Sequence, residues 1–179
     1  TTSTDNSTDS TTTTDNTTTT DNTTSKIWTK QLGTTRDDWG YDVTTDSSGN
    51  IYVTGSTEGG LDGNTNSGPE FVSSQGNHDI FLVKYNSSGT KQWTKQLGTS
   101  SNDEGSGVTT DSSGNIYVTG ITYGDLDGNT SSGSYDIFLV KYDSSGTKQW
   151  TRQLGTSSFD NGNGVTSDSS DNIYVTGST

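Results

Sequence analysis

The sequence contains no cysteine, a single proline and few apolar residues. Without cysteine, the chain can form neither a disulfide nor a thiolate metal site. Hydrophobic residues make up only 22% of the 179 residues, which is too little for one thick core. Such a chain can instead bury its apolar side chains in thin β layers, with several small cores spaced along the sequence.

Basic residues and long apolar runs are also scarce. The chain has 9 basic and 22 acidic residues, and its net charge of −13 would repel nucleic acid and anionic membrane surfaces. No apolar run approaches the length needed to cross a bilayer. We therefore expect neither a nucleic-acid partner nor membrane insertion. The first residue is Thr1 rather than Met, which indicates a processed protein or a fragment of a longer one.

Residues 1–25 contain only Thr, Ser, Asp and Asn. No side chain there can bury useful apolar area, so nothing offsets the conformational entropy lost on ordering the segment. We expect an extended tail that is either a solvated stalk or a strand added to a neighbouring subunit, since β-branched Thr favours extended backbone. Its dense hydroxyl groups are typical of O-glycosylated stalks, and N-glycosylation sequons occur at Asn6, Asn16 and Asn22.

After this tail the sequence repeats itself. The run KIWTKQLG at 26–33 recurs with small changes at 91–98 and 148–155. The first repeat is eight residues longer than the second, and an insertion at 69–76 accounts for the difference. An insertion at one point is typical of a surface loop. The repeat predicts three units, the last of them partial: 26–90, 91–147 and 148–179.

Short β-type runs separated by turn residues fill each unit. The run DIFLVKY, at 79–85 and 136–142, is apolar on both faces, as a doubly buried strand should be. The turn DSSGN and its variants occur five times, each between two β runs. Their first Asp or Asn can hydrogen-bond the backbone two residues on, and their Gly, replaced once by Asp171, can adopt positive φ. We therefore predict hairpins, two of which form a four-stranded antiparallel sheet.

Four-stranded units repeated at about 40–60 residues with a constant Trp are typical of β-propeller blades or a related stacked-sheet array. The combination of WTKQLGT, GVTTDSSGNIYVTG and DIFLVKYDSSGTKQW resembles the SBBP β-propeller repeat of bacterial and archaeal secreted and surface proteins. The resemblance covers residues 26–179. It implies an all-β, propeller-like fold and an extracellular or cell-surface location, and it brings no catalytic residues to this chain.

The predicted blades are unfinished at both ends. The first WTKQLG has no DIFLVKY before it, and the sequence stops after the third NIYVTG, which gives about two and a half repeats. Closed propellers need about 4–8 blades, so we predict an incomplete ring with open sheet edges. Open edges invite pairing with another chain. The expected partners are copies of this protein or neighbouring repeats of the same parent chain.

One acidic residue recurs in every unit, at Asp38, Asp103 and Asp160. We expect these side chains to be structural hydrogen-bond acceptors in loops, because catalytic acid–base pairs rarely recur with a repeat period. The single histidine, His78, cannot form a zinc site in a chain without cysteine, and no Ser-His-Asp pattern surrounds it. We expect it to be a solvated loop residue.

One run has the spacing of a metal loop. In GDLDGNTSSG, the residues Asp125, Asp127 and Asn129 alternate like the opening of a calcium loop, where oxygen ligands surround a hard cation. In the first unit Gly60 replaces Asp125, and the alternative is an Asx-rich surface turn. Calcium is the one cofactor that the sequence suggests.

The aromatic residues fall into two groups. One tryptophan recurs with the repeat and is expected to pack in the core: Trp28, Trp93 and Trp150. Trp39, Tyr41 and Tyr123 do not recur, and we expect them to lie at the surface, in contact with glycan or with a neighbouring subunit.

These features favour a non-catalytic extracellular structural protein, a subunit of a surface fibre or filament that assembles through open sheet edges and the N-terminal tail. The alternative is a lectin-like surface adhesin that binds glycan. An enzyme such as a hydrolase would need two carboxylates that converge on one cleft, one of them with a raised pKa. No such pair is apparent in the sequence, so we predict no catalytic residues.

Overall fold

The structure is a computed structural model that describes residues 28–68 and 77–179. The predicted N-terminal tail, its sequons Asn6, Asn16 and Asn22, and the predicted insertion lie outside the described residues. In the part of the chain that is described, no helix is long and apolar enough to span a membrane.

The chain divides into two units, Thr1–Leu32 and Gly33–Thr179. In the first unit, the described residues 28–32 form no strand, although KIWTKQLG predicts one. In the second unit the same sequence forms strands, each paired with the DIFLVKY strand before it. That pairing satisfies the backbone hydrogen-bonding groups of these strands.

The second unit is built from strands joined by tight turns and by two one-turn 3₁₀ helices, at Leu61–Gly63 and Leu126–Gly128. Its described strands are β1 (Asp38–Thr45), β2 (Ile51–Thr57), β3 (Asp79–Tyr85), β4 (Lys91–Leu97), β5 (Asp103–Thr110), β6 (Ile116–Thr122), β7 (Asp136–Tyr142), β8 (Lys148–Leu154), β9 (Asn161–Ser167) and β10 (Ile173–Ser178).

These strands form three antiparallel sheets. Blade 1 has the order β1-β2-β3-β4, blade 2 the order β5-β6-β7-β8, and half-blade 3 contains β9 and β10. The structure confirms an all-β fold of four-stranded antiparallel blades in a ring that is not closed. Each complete blade joins a GVTTD–NIYVTG-type hairpin to the DIFLVKY hairpin that follows it. The fourth strand of a blade therefore carries the WTKQLG text that opens the next sequence repeat.

Neighbouring blades pack face to face. The first strands β1, β5 and β9 lie side by side, β5 also contacts β2 and β3, and β9 contacts β6 and β7. The core lies mainly between blades 1 and 2, and each large apolar side chain buried there contributes about 1.5–3 kcal/mol. Its buried members are Tyr52, Ile80, Leu82, Val108, Ile116, Val118, Leu126, Phe138, Val140 and Tyr142.

The recurring turns have the predicted structure. In the turn at 111–115, Asp111 Oδ1 accepts hydrogen bonds from the backbone N–H groups of Ser113, at 3.0 Å, and Asn115, at 2.8 Å. Asp171, which replaces the turn glycine in half-blade 3, has the expected positive φ of 62°. Its carboxylate also accepts hydrogen bonds from Ser112 N, at 2.8 Å, and Ser112 Oγ, at 2.7 Å, so it ties half-blade 3 to blade 2.

Candidate functional site

A buried aspartate opens the first strand of blade 2 and holds the preceding loop. Asp103 Oδ2 accepts hydrogen bonds from Thr99 N, at 2.6 Å, and Thr99 Oγ1, at 2.9 Å, while its Oδ1 accepts one from Thr122 Oγ1. Asp38 and Asp160 accept the same pair of bonds from the threonine four residues before them. The recurring acid is therefore a structural acceptor, as its repeat period predicts.

Two buried carboxylates approach each other at the boundary between blades 1 and 2. Asp79 and Asp103 are fully buried, and both lie against Gly98. Asp79 Oδ2 accepts hydrogen bonds from Ser67 N, at 2.7 Å, and Gln96 Nε2, at 3.0 Å. Its Oδ1 is buried and has no hydrogen-bond partner within the described part of the chain.

Burial raises the pKa of Asp103 to about 6, and the charge of Asp79 adds to this effect. Burial also raises the pKa of Asp79, against hydrogen bonds that lower it. A raised carboxyl pKa is the property expected of a catalytic acid. Here, however, both groups have no exposed surface, so the pair offers a substrate no access.

The loop that resembles a calcium loop holds the outer strand of its blade. The Asp127 carboxylate pairs with Lys148 Nζ and accepts a 2.7 Å hydrogen bond from Thr151 Oγ1. Burial alone would raise its pKa, but the hydrogen bonds from Lys148 and Thr151 and the lysine charge together lower it. Asp62 makes the equivalent pair with Lys91 in blade 1. Both aspartates adopt positive φ, at 53° and 54°.

The other two predicted calcium ligands bind the protein elsewhere. Asp125 Oδ1 accepts a 2.7 Å hydrogen bond from Ser131 N, and Asn129 Nδ2 donates a 2.8 Å bond to Leu126 O. Over residues 28–68 and 77–179, no three acidic, histidine or cysteine side chains are grouped to hold a metal. Calcium binding at Asp125, Asp127 and Asn129 stays a prediction, which a calcium titration followed by calorimetry would test.

The single histidine lies at the boundary between blades 1 and 2. His78 Nε2 is 3.1 Å from Glu58 Oε1, its Nδ1 is 3.7 Å from Glu104 Oε1, and its ring centroid is 4.9 Å from that of Trp39. The side chain is only 17% exposed, so the prediction of a solvated loop residue was wrong. Glu104 belongs to the next blade, and sequence spacing gave no sign that it would cover the imidazole.

An aromatic cluster occupies the equivalent position at the next blade boundary. Tyr135 stands where blade 1 has His78, and its ring centroid is 5.0 Å from that of Tyr123 and 5.5 Å from that of Phe159. Tyr123 is exposed, and Phe159 is 60% exposed. The sequence predicted Tyr123 but missed Tyr135 and Phe159. An aromatic residue directly before the recurring aspartate, where the other units have Asp37 and Asn102, was the available signal.

Trp39 and Tyr41 lie on β1, and both are exposed. They are not part of the cluster formed by Tyr123, Tyr135 and Phe159, because Trp39 packs on His78 instead. The structure thus places all three predicted aromatic residues at the surface, while their contact with glycan or a subunit stays a prediction. The repeating Trp93, in contrast, packs against the core, as predicted.

Half-blade 3 leaves a sheet edge and a sheet face uncovered. Among the described strands, β10 pairs only with β9. Tyr174 on β10 is 54% exposed, whereas its blade 2 counterpart Tyr117 is 5% exposed. Leu154, at the end of β8, is 73% exposed. These positions mark the point where a complete third blade would continue.

Comparison with known families agrees with this architecture. The model of the SBBP family, described as a beta-propeller repeat, matches the chain three times, at residues 27–62, 92–127 and 149–179. The chain belongs to the SBBP beta-propeller repeat family. Each match includes the WTKQLG or WTRQLG text and the two strands that follow it, so the second and third matches each take strands from two successive blades. The DIFLVKY strands β3 and β7 lie between the matches.

Two relatives of this SBBP chain are much longer proteins. It is 26% identical to an uncharacterized WD repeat-containing protein of Acanthamoeba polyphaga mimivirus, over 84% of this chain and 13% of the relative. It is 29% identical to the Regulatory protein FlaEY of Caulobacter vibrioides, over 75% of this chain and 15% of the relative. The chain therefore spans less than a sixth of either relative's length.

Proposed function

We propose that this SBBP chain is a non-catalytic structural protein that works outside the cell, as a subunit of a surface fibre or filament. The observation that carries the proposal is the outer edge of β10, which has no partner among the described strands and lies beside exposed apolar side chains. Edge strands of this kind readily accept a strand from another chain. The absence of cysteine and the acidic surface suit a protein that works without redox protection.

The carboxylates support a structural rather than a catalytic role. The most perturbed of them, Asp103, is fully buried beside Asp79, and its oxygens accept hydrogen bonds from Thr99 and Thr122. A catalytic acid has to reach its substrate within hydrogen-bond distance. In the proposed role these carboxylates instead fix the loops that bring successive blades together.

Sedimentation of the full 179-residue chain over a range of concentrations tests assembly. We expect species larger than the 18.9 kDa monomer, with an association constant that falls when residues 1–25 are removed or when Val175→Lys places a charge on β10. Thr166→Lys on β9 is the matched control and should assemble like the unmodified chain. A monomer at every concentration would contradict the proposal. Labelling of the protein on intact cells tests its location.

A second function, glycan binding, is favoured by the cluster formed by Tyr123, Tyr135 and Phe159. Exposed aromatic rings offer apolar faces on which a pyranose ring can stack, and the hydroxyl group of tyrosine can hydrogen-bond the sugar. We expect binding on a glycan array to be lost in Tyr123→Ala and Phe159→Ala. Tyr174→Ala removes an exposed aromatic side chain elsewhere and should retain binding. Equal loss in all three variants would contradict a site at the cluster.

A further inference from the structure

Two N-glycosylation sequons lie within the blades, apart from those in the N-terminal tail. The sequon NSS at 86–88 belongs to the tight turn between β3 and β4, and the sequon NTS at 129–131 follows the 3₁₀ helix of blade 2. A glycan is bulky, so it can be attached in a folded chain only where the side-chain nitrogen of the asparagine is accessible. The two sites differ in this respect, although both sequences fit the motif.

Asn86 uses its side-chain oxygen in the turn and leaves its side-chain nitrogen free. The Oδ1 atom accepts hydrogen bonds from Ser88 N, at 3.1 Å, Ser88 Oγ, at 2.7 Å, and Thr90 N, at 2.8 Å, and these bonds fix the amide group. Its Nδ2 donates no hydrogen bond to the described residues, and it is not one of their buried polar atoms that lack a partner. The nitrogen therefore reaches solvent in a fixed orientation.

The same turn of blade 2 shows why this nitrogen is free. There Asp143 replaces Asn86, and its Oδ2 accepts a 2.9 Å hydrogen bond from Gln149 Nε2. In blade 1 the corresponding Gln92 Nε2 donates to Thr90 O, at 3.0 Å, and not to Asn86. An amide nitrogen carries two donors and cannot accept the proton that the carboxylate accepts.

A preceding blade does not cover this type of turn. The turn at 143–147 contacts blade 1, where Lys84 Nζ donates a 3.0 Å hydrogen bond to Ser144 O. The two serines of the turn are nevertheless exposed, and Asp143 is half-buried, like Asn86. A blade before blade 1 would therefore leave the turn between β3 and β4 accessible as well.

The second sequon has its side-chain nitrogen in use. Asn129 Nδ2 donates hydrogen bonds to Leu126 O, at 2.8 Å, and to Thr151 O, at 3.5 Å, and the latter joins the loop to β8. A glycan would replace one of the two protons on this nitrogen, so one of the bonds would be lost. Of these two sequons, the folded chain therefore offers only Asn86 as an acceptor.

We propose that Asn86 is an N-glycosylation site, so that blade 1 carries a glycan at the tip of hairpin β3–β4. In the reaction, Asn86 Nδ2 attacks the anomeric carbon of an oligosaccharide that is linked through phosphate to a polyprenol lipid. The bond between this carbon and the phosphate oxygen breaks, the lipid-linked phosphate leaves with the electron pair, and a base of the transferase takes one proton from Nδ2. The inference rests on the proposed function in one respect, because the chain has to leave the cytoplasm to meet the transferase.

Glycopeptide mapping tests the site directly. The full chain is exported through an added signal peptide in a host that contains an oligosaccharyltransferase, so the result does not depend on where the protein works in its own cell. Trypsin releases residues 85–91, in which Asn86 is the only asparagine, and electron-transfer fragmentation distinguishes a glycan on Asn86 from one on a hydroxyl group. We expect a glycan on Asn86 and an occupancy at Asn129 that is at least about tenfold lower, because the Asn129 amide is hydrogen-bonded.

Three variants check the role of the turn. Asn86→Gln removes the acceptor and Ser88→Ala removes the hydroxyl group of the sequon, so both should lose the glycan. Adding Asp143→Asn to Asn86→Gln moves the sequon to the same turn of blade 2 and should restore a glycan, now on residues 142–148.

Two outcomes would overturn the inference: an exported chain that is unmodified at Asn86, or equal occupancy at Asn86 and Asn129. Labelling on intact cells of the natural source separates this test from that of the proposed function. A protein found at the cell surface, with Asn86 unmodified in the export experiment, refutes only the glycosylation site. A glycan on Asn86 in that experiment, with no protein on the surface of its own cells, refutes only the proposed location.

Discussion

At the scale of single residues, the pKa of aspartate shifts in opposite directions in the turns and at the blade boundary. Burial alone would raise the pKa of Asp111, but hydrogen bonds from Asn115, Tyr117 and Ser113 outweigh it, so the pKa is lowered. For Asp103, burial outweighs the hydrogen bonds and raises the pKa to about 6. The charged form of the turn aspartate therefore stabilises the fold, whereas the charged form of Asp103, at the blade boundary, destabilises it.

The pH dependence of stability should show this cost at Asp103. Its pKa is 3.8 when unperturbed and about 6 in the fold, so between these values the folded state binds more protons than the unfolded state. Stability contributed by Asp103 is thus present below about pH 4 and is lost as the pH rises through about 6. We expect the free energy of unfolding of the unmodified chain to fall by about 1–3 kcal/mol relative to Asp103→Asn over this window.

Urea denaturation at a series of pH values gives this comparison. Asp168→Asn is the control, because hydrogen bonds from Asn172 and Ser170 lower the pKa of Asp168 to about 2, and its effect should be constant between about pH 5 and 7. Curves for the unmodified chain and Asp103→Asn that run parallel from pH 4 to 7 would show that Asp103 does not titrate in this window.

At the scale of strands, the environment of one sequence changes with its neighbours. Val43 on β1 is 60% exposed, while Val108 at the same place on β5 is 4% exposed, because β5 lies between β1 and β9. A glycine two residues into each strand shows the same contrast. A Cβ on Gly105 would lie 2.5 Å from Thr54 Oγ1, whereas one on Gly40 would meet, among the residues that the structure describes, only Val53, at 3.9 Å.

The substitution Gly105→Ala should therefore destabilise the chain, and Gly40→Ala should not. The added methyl group of Gly105→Ala is forced against Thr54 of blade 1, and overpacking of this kind costs about 1–3 kcal/mol. Gly40→Ala adds the same methyl group in open space and should change the free energy of unfolding by less than about 0.5 kcal/mol. Equilibrium urea denaturation measures both. Equal effects would mean that strand propensity, rather than the blade boundary, decides the cost.

The strands could be predicted from the sequence because each is short, apolar in pattern and bounded by a recognisable turn. Which two hairpins form one sheet could not be predicted from these features. Strand β2 pairs with β3 across the long connection 58–78, as Val53 opposite Val83 shows, and the turn residues in that connection do not indicate which strands it joins. The covered His78 was missed for a related reason, since its burial depends on Glu104, which a strand of the next blade supplies.

At the scale of the unit Gly33–Thr179, the extensive contacts between described strands of different blades join neighbouring blades. In such arrays stability is close to a sum of the blades' own contributions and those of their boundaries. Blade 2 has a boundary on each face, whereas half-blade 3 has one boundary and only two strands. With one boundary and only two described strands, half-blade 3 should be less stable than blade 2.

Hydrogen exchange of the backbone amides should reveal this gradient. We expect the amides of β9 and β10 that bond each other to exchange at least tenfold faster than those joining β6 and β7, because local opening of half-blade 3 exposes little apolar surface. The turn bond from Ser112 to Asp171 should limit the difference, so Asp171→Gly, which keeps the positive φ without the carboxylate, should widen it. Exchange that is uniform across β5–β10 would mean that the blades open as one cooperative unit, and the nearest-neighbour description would then be wrong for this protein.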